Sequence, residues 1–292
     1  MTAGVAWALV AAVGFGFTQT MNRKSNLLVG AFRTAFGLLV AVELILILRT
    51  ATAGEFSLLR VAPVSSLLAF GTSAVIHYAL AWTLLAFSQQ QIGVARTGAV
   101  TSAAPLVGTI LAAIVLGESL TAWTAVGVVL VVVGVSLVSL SRSPLHGGRW
   151  RLPTFGLAVA VCWGVSPMFI RKGLEGLDAP VLGLTVGLGA SLILHAVGLT
   201  LLGAWRQSEW DPGALRWMLA GGVTGAVGIS AQWISFGLTT IAIAITVQQL
   251  AVLVVVVLAP LMFDAAFERI NLPLIAGTAS VLAGSGVVVW AG

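Results

Sequence analysis

The sequence predicts an all-α integral membrane protein: ten transmembrane helices arranged as two inverted five-helix repeats. Composition, the length of the apolar runs and an internal repeat predict it. The chain has 292 residues, 59% hydrophobic and 8% charged, where soluble domains average about 45–50% and about 25%. Mean hydropathy is +1.09. Its 14 Lys and Arg and 9 Asp and Glu are too few to cover a soluble domain of this size, and the same balance excludes intrinsic disorder. The pI is about 10.7, but the basic residues stand singly or in pairs. No continuous stripe is available to neutralise phosphates, so nucleic acid is not an expected partner.

A helix needs about 20 residues to cross about 30 Å of hydrocarbon. Breaks in the apolar runs place ten spans at about 3–21, 28–48, 64–86, 92–116, 121–140, 154–170, 179–204, 215–238, 240–263 and 271–291. Runs such as VVLVVVGVSLV are apolar all round, which excludes the alternation of a β-barrel. The first span has no Lys or Arg before Arg23. A cleaved signal peptide begins with a basic segment, so this span is expected to be retained. Cys162 stands alone inside an apolar run and reads as a packing residue.

The chain repeats itself. Leu116-Gly117-Glu118-Ser119-Leu120-Thr121, followed by Gly127 and Gly134, recurs 150 residues later as Phe267-Glu268-Arg269-Ile270-Asn271 with Gly277 and Gly284. Phe15-Gly16 with Arg23-Lys24 recurs as Trp163-Gly164 with Arg171-Lys172 at an offset of 148. The repeats are expected at 1–141 and 154–292, joined by a basic linker at 142–153. Five spans per unit is an odd number, so the second copy is upside down relative to the first.

These residues resemble a family. Trp163-Gly164-Val165-Ser166-Pro167, the stretch from Pro105 to Leu116-Gly117-Glu118, Gly127 with Gly134, and Glu268-Arg269-Ile270 are similar to the EamA-type units of the ten-helix exporters in the drug/metabolite transporter superfamily. Phe15 stands where Trp is common, and Phe267 replaces the Gly before the second Glu. The resemblance covers nearly the whole chain. It implies secondary transport of amino acids or other small metabolites, and a central cavity lined by spans one, three, four, six, eight and nine.

Polar groups inside spans usually face a bundle interior or a wet cavity. Span three offers His77, Tyr78 and Trp82; Tyr78, the single Tyr, shares a face with Trp82. An aromatic wall with polar tips suits an amphiphilic metabolite, though the same residues also serve plain helix packing. Span four carries Arg96, Thr97, Thr101 and Pro105. Pro105 is expected to loosen the helix, and Arg96 either faces an anionic group or snorkels to the headgroups. Span six offers Trp163 and Ser166, with Pro167 expected to break the helix beside them. Span eight offers Gln232, Trp233 and Ser235, and span nine Thr246, Gln248 and Gln249. Neutral amides either hold a polar ligand or bond helix to helix.

Three carboxylates are candidates for gating or coupling. Glu118 and Glu268 each precede the N-cap residue of a following helix, Thr121 and Asn271, where negative charge favours that helix's dipole; a gating ion pair is the other reading. Glu43 lies inside span two and His195 inside span seven, its counterpart. Glu43 either carries a proton or reaches towards Arg49. Trp7, Trp123, Trp150, Trp205, Trp210, Trp217 and Trp290 fall at span ends, as an interfacial belt does. Gly127 with Gly134, and Gly277 with Gly284, predict that spans five and ten pack together.

Basic residues divide unevenly. Arg23, Lys24, Arg33, Arg142, Arg149, Arg151, Arg206, Arg216 and Arg269 fall on one side, and Arg49, Arg60, Arg171 and Lys172 on the other. By the positive-inside rule both termini face outward, whereas the resemblance implies cytoplasmic termini. Enzymatic readings find little support: there is no paired intramembrane aspartate, no Ser with an evident His partner and no phosphate loop, and both Lys residues sit at span ends. A lipid-linked substrate flippase or a structural membrane subunit stays open. The expected protein is a multi-pass transporter of the cytoplasmic membrane, monomeric among lipids, with a small-molecule substrate and no cofactor or metal.

Overall fold

The computed structural model describes residues 2–92, 97, 100, 101, 103–140, 154–201, 203, 211–262 and 272–291. These residues fold into helices without a strand. In chain order they are α1 (Ala3–Val29), α2 (Ala31–Thr52), a 3-10 turn at Glu55–Arg60, α3 (Val64–Ala74), a π turn at Val75–Leu80, α4 (Ala81–Ile92) and α5 (Ala104–Leu116). Then come α6 (Ala122–Leu140), α7 (Thr154–Gly176), α8 (Pro180–Leu201), α9 (Pro212–Leu238), α10 (Ile241–Gln248), α11 (Ala251–Met262) and α12 (Leu272–Ala291). The expected linker at 142–153, and Trp205, Arg206 and Trp210, lie outside the described residues.

Among the described residues, five stretches are long and apolar enough to cross a membrane: Ala3–Val29, Arg33–Thr52, Val64–Gln89, Thr154–Gly176 and Pro180–Leu201. Shorter apolar helices cover Ala104–Leu116, Ala122–Gly134, Ile241–Val255 and Ile275–Val288. Exposure follows a lipid solvent rather than water. Leu48, Ile114, Ile193, Leu201 and Leu261 are exposed, while Thr50, Thr185, Ser191 and His195 are buried. In hydrocarbon an apolar rim is favourable and polar groups turn inward.

The core is assembled from antiparallel helix pairs. α1 runs along α9, with Thr18 Oγ1 2.9 Å from Thr224 Oγ1 and Ser25 bonded to the Ala214 carbonyl. A methyl group on Gly14 would lie 2.6 Å from the Gly228 Cα, so these backbones touch. α7 runs antiparallel to α3, where Gly173 faces Phe70 and Ser73 donates to the Ser166 carbonyl at 2.9 Å. α2 packs between α8 and α9. α6 and α12 form the remaining close pair: Ser280 donates to the Leu130 carbonyl at 2.7 Å, and Trp123 meets Trp290 edge-on.

One proline expectation changes. Pro167 sits inside an uninterrupted α7; a missing N–H at one position is tolerated in a helix packed against its neighbours, and α3 packs along this stretch. Pro105 follows a turn at Ala103 and lies in the first turn of α5, so span four is interrupted beside it as expected. Span nine, expected as one helix, is interrupted by a turn at Gln249–Leu250 between α10 and α11.

The α6–α12 contact yields a direct test. A methyl group on Gly134 would meet the Gly277 carbonyl oxygen at 2.6 Å and Val281 N at 2.7 Å, backbone atoms that cannot step aside, whereas one on Gly71 meets nothing. Gly134→Ala is expected to cost about 1–3 kcal/mol of stability. Gly71→Ala is expected to be neutral or to add up to about 1 kcal/mol. Unfolding curves of the two variants in detergent check the contrast.

Candidate functional site

The π turn in the third span organises the centre. An extra residue in one turn lets the adjacent His77 and Tyr78 both be buried, His77 towards α7 and Tyr78 towards α9. His77 Nδ1 is 2.6 Å from Ser166 Oγ, and its ring stacks on Trp163 with centroids 5.8 Å apart. Trp82 meets Tyr78 edge-on at 5.5 Å, and Phe70 packs against Trp233.

From Tyr78 a hydrogen-bond relay crosses into α9 and α10. Trp233 Nε1 donates to the Tyr78 hydroxyl at 2.9 Å, and that hydroxyl donates to Gln232 Oε1 at 3.4 Å. Gln232 Nε2 donates to Gln248 Oε1 at 3.0 Å, and Gln248 Nε2 to Ser235 Oγ at 3.3 Å. Ser235 closes the chain on the Gln232 carbonyl at 2.7 Å. Every member is buried, and every member is neutral. Each amide nitrogen keeps a second N–H, and the buried Trp163 Nε1 has no partner. The centre therefore holds aromatic faces and unspent donors, which suit a polar ligand with acceptor atoms and an apolar body.

The expected residues divide between this cluster and other places. His77, Tyr78, Trp82, Trp163, Ser166, Gln232, Trp233 and Gln248 come together. Gln249 lies half-buried in the turn beside Gln248 and is not a member of the relay. Thr97 bonds Ser88 at 2.9 Å, and Thr101 is buried. Thr246 is spent on the Ala242 carbonyl within its own helix. Arg96, Glu268, Arg269 and Asn271 lie outside the described residues.

The carboxylates depart from expectation. Glu118 serves a helix dipole, but that of α10 rather than the next helix: its Oε1 accepts from Ile241 N at 3.0 Å. Thr121 alone caps α6, accepting from Thr124 N. Arg49 pairs with Glu55 rather than Glu43. Glu43 is buried opposite Gly189 of α8, with Oε2 unpartnered, apart from the central relay. On the same flank His195 Nε2 contacts Thr83 Oγ1 at 3.2 Å. The Thr83 hydroxyl already donates to the Ala79 carbonyl, so His195 is the donor there.

Sequence reasoning missed a second polar cluster. Asn22 donates to Gln89 at 3.4 Å and Asn26 to the Ala86 carbonyl at 3.3 Å. These residues follow the first apolar run and read as loop. The i, i+4 spacing of the two asparagines was the available signal.

With the helices and their polar centre in place, likeness to known proteins becomes informative. Residues 2–140 match the EamA-like transporter family. That stretch contains α1 to α6, including His77, Tyr78 and Glu118. A solved crystal structure is similar at a TM-score of 0.79 over 99% of this chain and 97% of that one, at 15% identity; this is a likeness of fold. No curated protein matches the chain. Its apolar helices and EamA-like first half describe a multi-pass membrane protein.

Tyr78 is the joint of the relay. Tyr78→Phe keeps the ring but strands Trp233 Nε1 and Gln232 Oε1, so a loss of about 1–3 kcal/mol is expected. Unfolding of the variant, followed by tryptophan emission, checks it.

Proposed function

We propose that the protein is a secondary transporter, an exporter of small metabolites such as amino acids, working by alternating access in the cytoplasmic membrane as a monomer without a cofactor. One observation carries this reading: a buried relay of neutral polar groups joins the third, eighth and ninth spans, with His77 and Ser166 bonded beside it, where an ordinary helix bundle places aliphatic side chains. Such a site is costly in hydrocarbon unless it is used.

Inverted halves supply the machinery for alternation, and the contacts support them. α6 and α12 would be equivalent helices of the two copies, and they meet head to tail: Gly127 touches Gly284, and Gly134 touches Gly277. The α1–α9 pair has its counterpart in the α7–α3 pair. Thr18 with Thr224 corresponds to Ser166 with Ser73. Gly16 packs on Val254 of α11, and Gly164 on Val107 of α5, which gives the repeated Phe-Gly and Trp-Gly pairs a physical reason. Span four, with a turn at Ala103, and span nine, with one at Gln249–Leu250, are interrupted at matching places. The family match of the first half to transporters favours the same reading. Glu43 fits a coupling group, since a buried carboxylate with one oxygen unpartnered and no ion pair among the described residues exchanges a proton more cheaply than it carries a charge.

Proteoliposomes loaded with amino acids and related metabolites test the proposal, with and without a pH gradient. Movement of at least one solute is expected, reduced at least about tenfold by Gln248→Leu, which removes about 1.4 kcal/mol or more of ligand interaction. A dependence on the gradient that Glu43→Gln abolishes would assign coupling to that residue. Absence of movement for every compound would overturn the transporter reading.

A further inference from the structure

The relay continues at one end into a junction that nothing in the binding site explains. α9 ends at Leu238 and α10 begins at Ile241, so only Thr239 and Thr240 connect the helix carrying Gln232, Trp233 and Ser235 to the one carrying Gln248. Two charged side chains from elsewhere grip this connection. Arg171 of α7 donates from Nη1 to the carbonyls of Phe236 at 2.5 Å and Thr239 at 3.0 Å, the C-terminal end of α9. Glu118 accepts from Ile241 N at 3.0 Å, the N-terminal end of α10. A cation on terminal carbonyls and an anion on a first-turn N–H each match the dipole of the helix they touch.

Local geometry aims Glu118 at this target. Gly117 ends α5 in a left-handed conformation, φ +66°, and the Glu118 N–H turns back to the Ala112 carbonyl at 3.2 Å. The side chain is thereby directed away from its own helix and, 123 positions along the chain, onto α10. Glu118 lies in the first half of the chain and α10 in the second, so this bond ties the two halves together. It is incomplete: Oε2 is buried without a partner. A carboxylate with one oxygen bonded and the other stranded holds less firmly than a fully satisfied one. At the junction, Leu174 faces Gly237 and belongs to the same buried cluster as Phe236 and Ile241.

We propose that Glu118 is a releasable latch that closes this end of the central relay, with Arg171 as the positioning residue that holds the α9 terminus against it. The latch rests on the transporter reading for its purpose: opening towards this face requires the Glu118–Ile241 bond to break, which frees the α9–α10 junction and uncovers Leu174. Its test uses no solute, so it succeeds or fails independently of any transport result.

The test is thiol accessibility in the full chain with Cys162→Ser as background. Leu174→Cys reports at the junction, and Val131→Cys, buried between α6 and α12, reports on general loosening. With a membrane-impermeant maleimide, Glu118→Ala is expected to raise the Leu174→Cys labelling rate about tenfold, equivalent to about 1.4 kcal/mol, and to leave Val131→Cys unchanged. Glu118→Gln keeps a carbonyl oxygen for Ile241 N but loses the charge; a rise of about threefold is expected, and it decides the matter if the Ala variant fails to fold. Arg171→Ala is expected to act in the same direction as Glu118→Ala. Unchanged labelling of Leu174→Cys in both Glu118 variants, or a parallel rise at both reporters, overturns the proposal.

Discussion

Inside hydrocarbon a polar group has no water to fall back on, so each one must find a protein partner or be avoided. This constraint shapes every contact at the centre of the chain. The indole N–H of Trp233 is satisfied only because the single Tyr of the sequence stands opposite. The Tyr78 hydroxyl donates its own hydrogen bond to Gln232, which in turn donates to Gln248. The relay is thus one cooperative unit rather than five separate bonds. Because its members come from the π turn, α9 and α10, their mutual placement fixes how those elements meet. The α9–α10 connection is short for the same reason: a longer loop would loosen the Gln232–Gln248 distance on which the rest hangs.

The same constraint explains why the residues that look most reactive are not the ones at the centre. Charge is the most expensive thing to bury, and the relay is built from neutral amides, hydroxyls and aromatic N–H groups instead. Charges are used where a helix end offers compensation. Arg171 faces carbonyls, Glu118 faces an N–H, and Asp211 caps α9 by accepting from Gly213 N. Glu43 breaks this pattern, buried in the interior of α2 with one oxygen unpartnered.

Much of the fold was legible in the sequence because helices in lipid are defined by their own composition. The apolar run at 64–86 becomes α3, the π turn and the first half of α4, and the runs beginning at 154 and 271 start within one residue of α7 and α12. By composition the first run ends at residue 21, yet α1 continues to Val29. Its polar tail, Asn22, Ser25 and Asn26, is buried and bonded to α4 and α9. Hydropathy counts those side chains as wet because it cannot know that partners wait on other helices. Of the site, the residue types in spans three, six, eight and nine were readable, since a His, Tyr or Gln within such a run is conspicuous. Their connectivity was not. The partner of Glu118 is 123 positions away, and the sequence offered the adjacent Thr121 as the simpler explanation. Pro167 misled for a related reason: a helix lacking one donor is weakened in isolation but held when a neighbouring helix packs along it, as α3 does here.

The glycine pairs show how a sequence repeat becomes a mechanical one. Where backbones touch, as at Gly14 with Gly228 and Gly127 with Gly284, there is no side chain to deform, so the pair moves as a rigid body or not at all. The α6–α12 contact is of this kind and lies to the side of the relay. The relay itself is held by hydrogen bonds between side chains, which exchange partners at little cost when a ligand offers equivalent acceptors. Stiffness is therefore concentrated in the glycine seams and exchangeable bonding in the centre. A molecule arranged this way can alter the contents of its centre, and the helix ends that close it, without remaking its backbone contacts.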